Sequence, residues 1–315
     1  GLKFTTVYTG TDNDLTGVAW YPTAEYALIT GTGGKLLKYQ NGLLSEISTG
    51  TTVNLAAISI NPNTGLGLAV GAERTILLID GETVTTISSG GNIALNTVTW
   101  EPGGSYALAA GAQSTGGPQR PGTILQFWAE NHTVKSVFSQ TSYTFIGSAF
   151  SPNSETAFLT ARYMDNANGI FEGRLFLWNE TGSSLAATGL SFNLGGVSWT
   201  PDGNLAYVVT QSALQAFDNE GTETGGPVPV QNALAMSWRP DQSSALVVGN
   251  TGTVYSFDGK SAYSLSNNLG NSTLLAAAWS PDGTRCLAVG AGGTVMSYDG
   301  NRLTSQAIRI KGVLR

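Results

Sequence analysis

LLAAAWSPDGTRCLAVGAGGTVMSYDG, residues 274–300, is the stretch that decides the fold. Leu274 to Trp279 reads as a strand closing on an aromatic. Ser280-Pro-Asp-Gly283 is a turn, in which Pro281 sets φ and Gly283 supplies a positive one. Arg285 to Gly290 is a second strand, a glycine-rich turn follows at 290–293, and Thr294 to Tyr298 is a third. Asp299-Gly300 is a hairpin turn, and Leu303 to Ile310 is a candidate fourth strand. Four strands of five to eight residues joined by tight turns make an antiparallel meander.

Working outward, the same unit recurs seven times. An aromatic or Ile, a spacer and a proline stand at Trp20–Pro22, Ile60–Pro62, Trp100–Pro102, Phe150–Pro152, Trp199–Pro201, Trp238–Pro240 and Trp279–Pro281. The steps between these anchors are 40, 40, 50, 49, 39 and 41 residues. A period near 40 made of strands marks a ring of four-stranded blades. The expectation is an all-β, seven-bladed β-propeller occupying 1–315 as one domain, with four antiparallel strands (A to D) per blade.

Alignment of the copies gives individual residues a reason. The residue before each anchor is Ala19, Ser59, Thr99, Ala149, Ser198, Ser237 or Ala278. Two places earlier stand Gly17, Ala57, Thr97, Gly147, Gly196, Ala235 and Ala276. All are small, as innermost strands crowded round an axis require. The anchors are expected between blades, where an aromatic buries a large area. Five of the seven tryptophans lie in this register, and Trp128 and Trp178 end C strands, so packing is their expected role. Cys286 follows its anchor by seven residues. Its equivalents are Ala27, Gly67, Ala107, Ala157, Ala206 and Ala245, which makes it a small packed residue and not a nucleophile.

WSPDG at Trp279–Gly283 and WTPDG at Trp199–Gly203 resemble the repeat core of WD-repeat and TolB-type propellers. The C strands close on Phe257-Asp258, Tyr298-Asp299, Phe217-Asp218 and Ile79-Asp80, similar to the Trp-Asp ending of WD repeats. The AVG-x-x-GTV run of the last repeat is also similar to photosystem-assembly-type propeller repeats. The resemblance spans about residues 12–310 and implies a platform for interaction or ligand binding. The Gly-His dipeptide of WD repeats is missing, and the chain has 1 His, so the Asp-His-Ser/Thr-Trp network cannot form. The chain is WD-like, not an orthodox member.

Residues 1–10 match the D strand of blade 1, Gly42 to Gly50, so the chain opens on an outer strand with no blade of its own. The expectation is that this strand completes the last blade and latches the ring. Residues 303–315 then form a surplus strand or tail.

Composition narrows the function. Charged residues are 11% and the net charge is −6, against about 25% charged in an average domain. No basic stripe is present to release counterions from phosphates, so nucleic acid is not an expected partner. No apolar run is long enough to span a membrane. With 1 Cys there is no intrachain disulfide. Low charge, abundant Ser, Thr and Asn, and sequons at Asn131, Asn179 and Asn271 point outside the cytoplasm. The start at Gly1 is read as a processed or excised chain.

Binding residues concentrate on loops that depart from a scaffold's repeat. Blades 3 and 4 carry the extra length, between strands B and C, at 112–123 and 162–174. Adjacent loops emerge on one face, offering Gln119, Arg120, Arg162, Tyr163, Met164, Phe171 and Arg174 as a partner-binding patch rich in Arg and aromatics. Asp165, Asn166, Asn168 and Glu172 are an oxygen-rich set that a calcium ion could use, although an Asx-rich turn explains them better. One His and one Cys cannot furnish a transition-metal site. His132 is placed in an exposed C–D turn. The acidic residues sit mainly in repeat turns, such as Asp202, Asp241 and Asp282, and no channel-lining carboxylate pair is evident. The expected function is non-catalytic and cofactor-free: an extracytoplasmic protein-binding or assembly module using the blade 3–4 face. The alternatives are a glycan-binding or glycan-active propeller and an intracellular WD-like scaffold.

Overall fold

The computed structural model describes residues 5–7, 10–115, 120–153, 156–265 and 270–298. They form seven four-stranded antiparallel sheets arranged as a ring. Strand A of the successive blades is Leu15–Trp20, Leu55–Ile60, Ile93–Trp100, Tyr143–Phe150, Leu194–Trp199, Ala233–Trp238 and Leu274–Trp279. Strand B is Ala27–Gly31, Gly67–Gly71, Tyr106–Gln113, Ala157–Asp165, Ala206–Thr210, Ala245–Gly249 and Cys286–Gly290. Strand C is Leu36–Gln40, Ile76–Asp80, Gly122–Trp128, Ile170–Asn179, Ala213–Phe217, Val254–Phe257 and Thr294–Tyr298. The outer strand D of blades 1 to 6 is Leu43–Glu46, Thr83–Ser88, Thr133–Gln140, Gly182–Leu190, Val228–Pro229 and Ala262–Ser264.

In blade 7 the outer place is taken by Thr5–Val7, whose register on strand C is Thr5 with Ser297, Thr6 with Met296 and Val7 with Val295. The N-terminal strand therefore latches the ring. Pairing removes an open strand edge, which would otherwise template association. The candidate strand at 303–315 lies outside the described residues.

The core is divided among the junctions between blades. Each of seven apolar clusters joins one blade to the next, and one of them packs Leu287, Val289 and Val295 of blade 7 on Trp20 and Tyr39 of blade 1. Strand B is covered on both faces, so its sequence is a continuous apolar run and not an alternation. ALITG, GLAVG and CLAVG are buried at every position. Cys286 and its alanine equivalents are all fully buried. Each large aliphatic side chain so placed contributes about 1.5–3 kcal/mol.

Five anchor tryptophans are buried at these junctions. Trp199 stacks on Phe158 of blade 4 at 4.8 Å, and its indole N–H donates to the Ala149 carbonyl at 3.0 Å. Serines before the anchors also bridge blades. Ser237 Oγ accepts the Trp279 backbone N–H at 3.1 Å, and Ser59 Oγ that of Trp100 at 3.3 Å.

The crowding near the axis is steric and local. A Cβ on Gly147 would stand 2.8 Å from Gly196 Cα in the next blade. At the end of strand B a glycine recurs for a different reason. A Cβ on Gly71 would sit 2.1 Å from the Asn54 carbonyl oxygen, and one on Gly290 1.9 Å from that of Thr273.

One expectation is corrected. The extra length of blade 4 is not mainly loop. In blade 4, residues through Asp165 extend strand B and residues from Ile170 extend strand C, leaving a turn at 166–169. Strand B has nine residues there, eight in blade 3 and five in every other blade. The four-residue excess raises the blade 4 hairpin by about 13 Å. Cross-strand pairs from Tyr163 with Glu172 to Asp165 with Ile170 absorb the backbone hydrogen bonds that a loop would leave to water.

Candidate functional site

Asp165 closes the blade 4 hairpin. Its carboxylate accepts the backbone N–H of Ala167 at 3.0 Å and of Asn168 at 3.2 Å, and the Asn168 amide at 2.8 Å. The Asn168 side chain is the main reason its carboxyl sits below the usual carboxylate range. Asn166 lies in the same turn. Glu172, the fourth member of the oxygen-rich set, is engaged elsewhere, by Arg174 and by the Gly189 N–H at 3.0 Å. The turn's hydrogen bonds engage Asp165 and Asn168.

Period-two alternation then sends the hairpin's side chains to opposite faces. Toward blade 3, Arg174 is held on all sides. It pairs with Glu172 at 2.7 Å, donates to the Tyr143 hydroxyl at 2.6 Å, and lies 3.4 Å from the centroid of the Tyr163 ring. Tyr143 and Tyr163 are themselves 5.0 Å apart. This is a neutralised, aromatic-clad cation that stiffens the hairpin.

Toward blade 5 the arrangement differs. Arg162 is half-buried over the Phe192 ring at 5.7 Å, and Phe171 meets the same ring edge-on at 6.3 Å. Met164 is half-buried on this face. Arg162 also lines a cavity in the central channel. At the tip, Ile170 and Phe171 are 38% and 54% exposed.

The expected Arg/aromatic patch is therefore divided. Arg162 and Phe171 meet through Phe192, Tyr163 and Arg174 meet through Tyr143, and the sheet separates the pairs. Arg120 is half-buried just before strand C of blade 3, its Nε buried without a partner among the described residues. Gln119 lies outside the described residues. Phe192 and Tyr143 were missed by reading the sequence. Phe192 stands in a D–A link with no repeat signal. Tyr143 was findable, because the longer steps of blades 3 and 4 also lengthen their A strands.

Of the remaining candidates, Asn131 and Asn271 are exposed and Asn179 is half-buried. Asn131 and Asn179 occupy equivalent C–D turns, each accepting a hydroxyl proton from its sequon threonine at 2.6 Å. His132 lies in an exposed C–D turn and stacks on Phe127 at 6.0 Å. Trp178 is buried, but Trp128 is 39% exposed and tilts over Tyr106 at 5.4 Å. These two aromatics, with Gln126, Lys135 and Glu180, line a groove of about 670 Å³ between blades 3 and 4. Glu101 also reaches it, but its carboxylate caps the A–B turn, accepting from the N–H groups of Gly103 and Ser105.

The class these features define is a seven-bladed β-propeller, a rigid ring with one raised sector. Neither the known protein-family models nor the curated proteins include a match to this chain.

Proposed function

We propose that this propeller is a non-catalytic, WD-like binding module that works outside the cytoplasm and takes a protein partner on its raised blade 3–4 sector. The observation that carries this reading is the hairpin tip. Ile170 and Phe171 stand exposed on a strand pair that rises above the ring and is braced by the Arg174–Glu172–Tyr143 set. An exposed aromatic on a pre-organised scaffold supplies contact area without ordering cost, as hot spots do. The exposed sequons at Asn131 and Asn271 and the low charge support the extracytoplasmic reading.

A pull-down from a native envelope extract tests it, with an Ile170→Ser/Phe171→Ser twin alongside. Capture of a protein by the parent and its loss by the twin is expected. Equal capture by both would remove the hairpin tip from the interface.

A second reading is favoured by one observation, the groove at Trp128. An exposed indole beside Glu180, Lys135 and Gln126 suits a sugar ring, which stacks on its face and hydrogen-bonds at its rim. Quenching of tryptophan fluorescence by an oligosaccharide, lost in Trp128→Ala, would move the function to glycan binding.

A further inference from the structure

Strand A of every blade carries a break in register about two residues in, for example between Leu15 and Gly17 and between Leu274 and Ala276. A bulge leaves one residue unpaired and re-aims it. The residues so placed are Thr16, Ala56, Asn96, Ile146, Leu234 and Leu275, and in blade 5 the pair Gly195-Gly196. Ile146, Leu234 and Leu275, together with Met236, wall a cavity of about 370 Å³ in the channel. At the bulge position blade 5 has only glycine, although Leu194 and Val197 beside it also line the cavity. A Cβ on Gly195 would stand 2.1 Å from the Leu234 carbonyl oxygen, so close approach forbids a side chain there, whereas one on Gly196 would meet only that oxygen at 3.9 Å.

Arg162 of blade 4 reaches the same cavity beside this gap. Thr160, two residues earlier on the same strand face, donates to the Gly195 carbonyl at 3.0 Å, which brings that face over the start of blade 5's strand A. Arg162 has no hydrogen-bond or ion-pair partner among the described residues, and its Nε is buried. Burial lowers its pKa. Among the described residues, no acidic one lines the cavity. The other polar side chains there, Thr97 and Ser148, bond each other at 2.7 Å, which leaves one hydroxyl proton between them. The one contact of note to Arg162 is the Phe192 ring at 5.7 Å, so a guanidinium half out of water has no anion beside it, and a bound anion offsets that desolvation.

We propose that the channel binds a small organic carboxylate with an apolar body, its carboxylate on Arg162 and its body against Ile146, Leu234, Met236 and Leu275. The planar guanidinium matches a carboxylate's two oxygens. One guanidinium fork meets both oxygens of a carboxylate and leaves further oxygens of a phosphate unmet. The volume lies within the range of small-molecule pockets, roughly 300–1,000 Å³. This site adjoins the hairpin tip through Phe192, and octanoate binding by Arg162 and partner capture by Ile170 and Phe171 are read by separate variants, so either can fail without the other.

Octanoate and its neutral analogue octanamide, titrated by calorimetry into the intact chain and into Arg162→Gln and Arg162→Lys, test the proposal. Saturable octanoate binding is expected, weakened at least about tenfold in Arg162→Gln and partly restored in Arg162→Lys. Octanamide should bind the parent chain at least about tenfold more weakly than octanoate, a comparison that requires no variant to fold. Equal binding of the two probes, octanoate affinity unchanged in Arg162→Gln, or no saturable octanoate binding at about 1 mM would each overturn it.

Discussion

The Trp20 indole N–H donates to the Ala278 carbonyl at 3.0 Å, joining the first blade to the last across 258 positions of sequence. Further contacts cross the same junction. Arg285 donates to the Ala24 carbonyl and lies 4.6 Å from the Trp20 ring centroid, and Gly293 N–H donates to the Asn13 carbonyl at 2.9 Å. Ring closure is thus a packed blade junction like the other six, with the Thr5–Val7 latch added outside it.

Removing residues 1–10 uncovers strand C of blade 7. A lower melting temperature is expected, with increased self-association through the freed strand, and an unchanged temperature would reject the latch as a stabilising element. Trp20→Phe keeps most of the packing and loses the indole donor. It should cost about 1–2 kcal/mol in denaturant unfolding.

The strand B glycines make a steric prediction. Gly71 has extended backbone, but a Cβ there meets the Asn54 carbonyl and the Leu55 Cα. Gly71→Ala should destabilise by about 1–3 kcal/mol because backbone must move. Gly226→Ala meets nothing within 4 Å and should be within about 0.5 kcal/mol of the parent. Equal effects at the two sites would refute a role for close approach.

Cys286 is fully buried, and burial pushes its thiol well above the ordinary range. It should not react with a thiol reagent until the chain unfolds. Cys286→Ala is expected to cost under about 1.5 kcal/mol, because the slot holds alanine in five sister blades. Cys286→Leu should cost about 1–3 kcal/mol by overpacking against Trp279 and Met296. Rapid labelling of the native chain would contradict this placement.

The A–B turn of blade 5 sets an acid limit. Asp202 accepts the Thr200 hydroxyl at 2.6 Å, then the Asn204 N–H at 3.1 Å, and its pKa is lowered to about 2. A carboxylate with a depressed folded pKa stabilises above its unfolded value, near about 3.9. That contribution is lost as pH falls from about 4 through about 2. Asp202→Asn should show a shallower loss of stability over that window than the parent in acid unfolding, and an identical slope would assign the loss to other carboxylates. Because Asp202 is exposed, the difference should be small.

The ring, its seven blades and the N-terminal latch were legible in the sequence. A covalent repeat of anchor, proline and turn glycine is local information, written once per blade, and the unpaired strand match between 1–10 and 42–50 supplied the closure. The buried slot of Cys286 and the inward tryptophans followed from the same alignment. The site was legible only in composition. Which residues lengthen blades 3 and 4 could be counted, but whether they form loops or strands depends on cross-strand pairing. Which of Arg162 and Arg174 is neutralised depends on which neighbouring blade each face of the hairpin meets. Tyr143, Phe192 and Gly195 complete those environments from other strands and the next blade. Sequence determined the repeat because repetition is local, whereas tertiary structure decided the chemistry because a buried charge is defined by the groups that surround it in space.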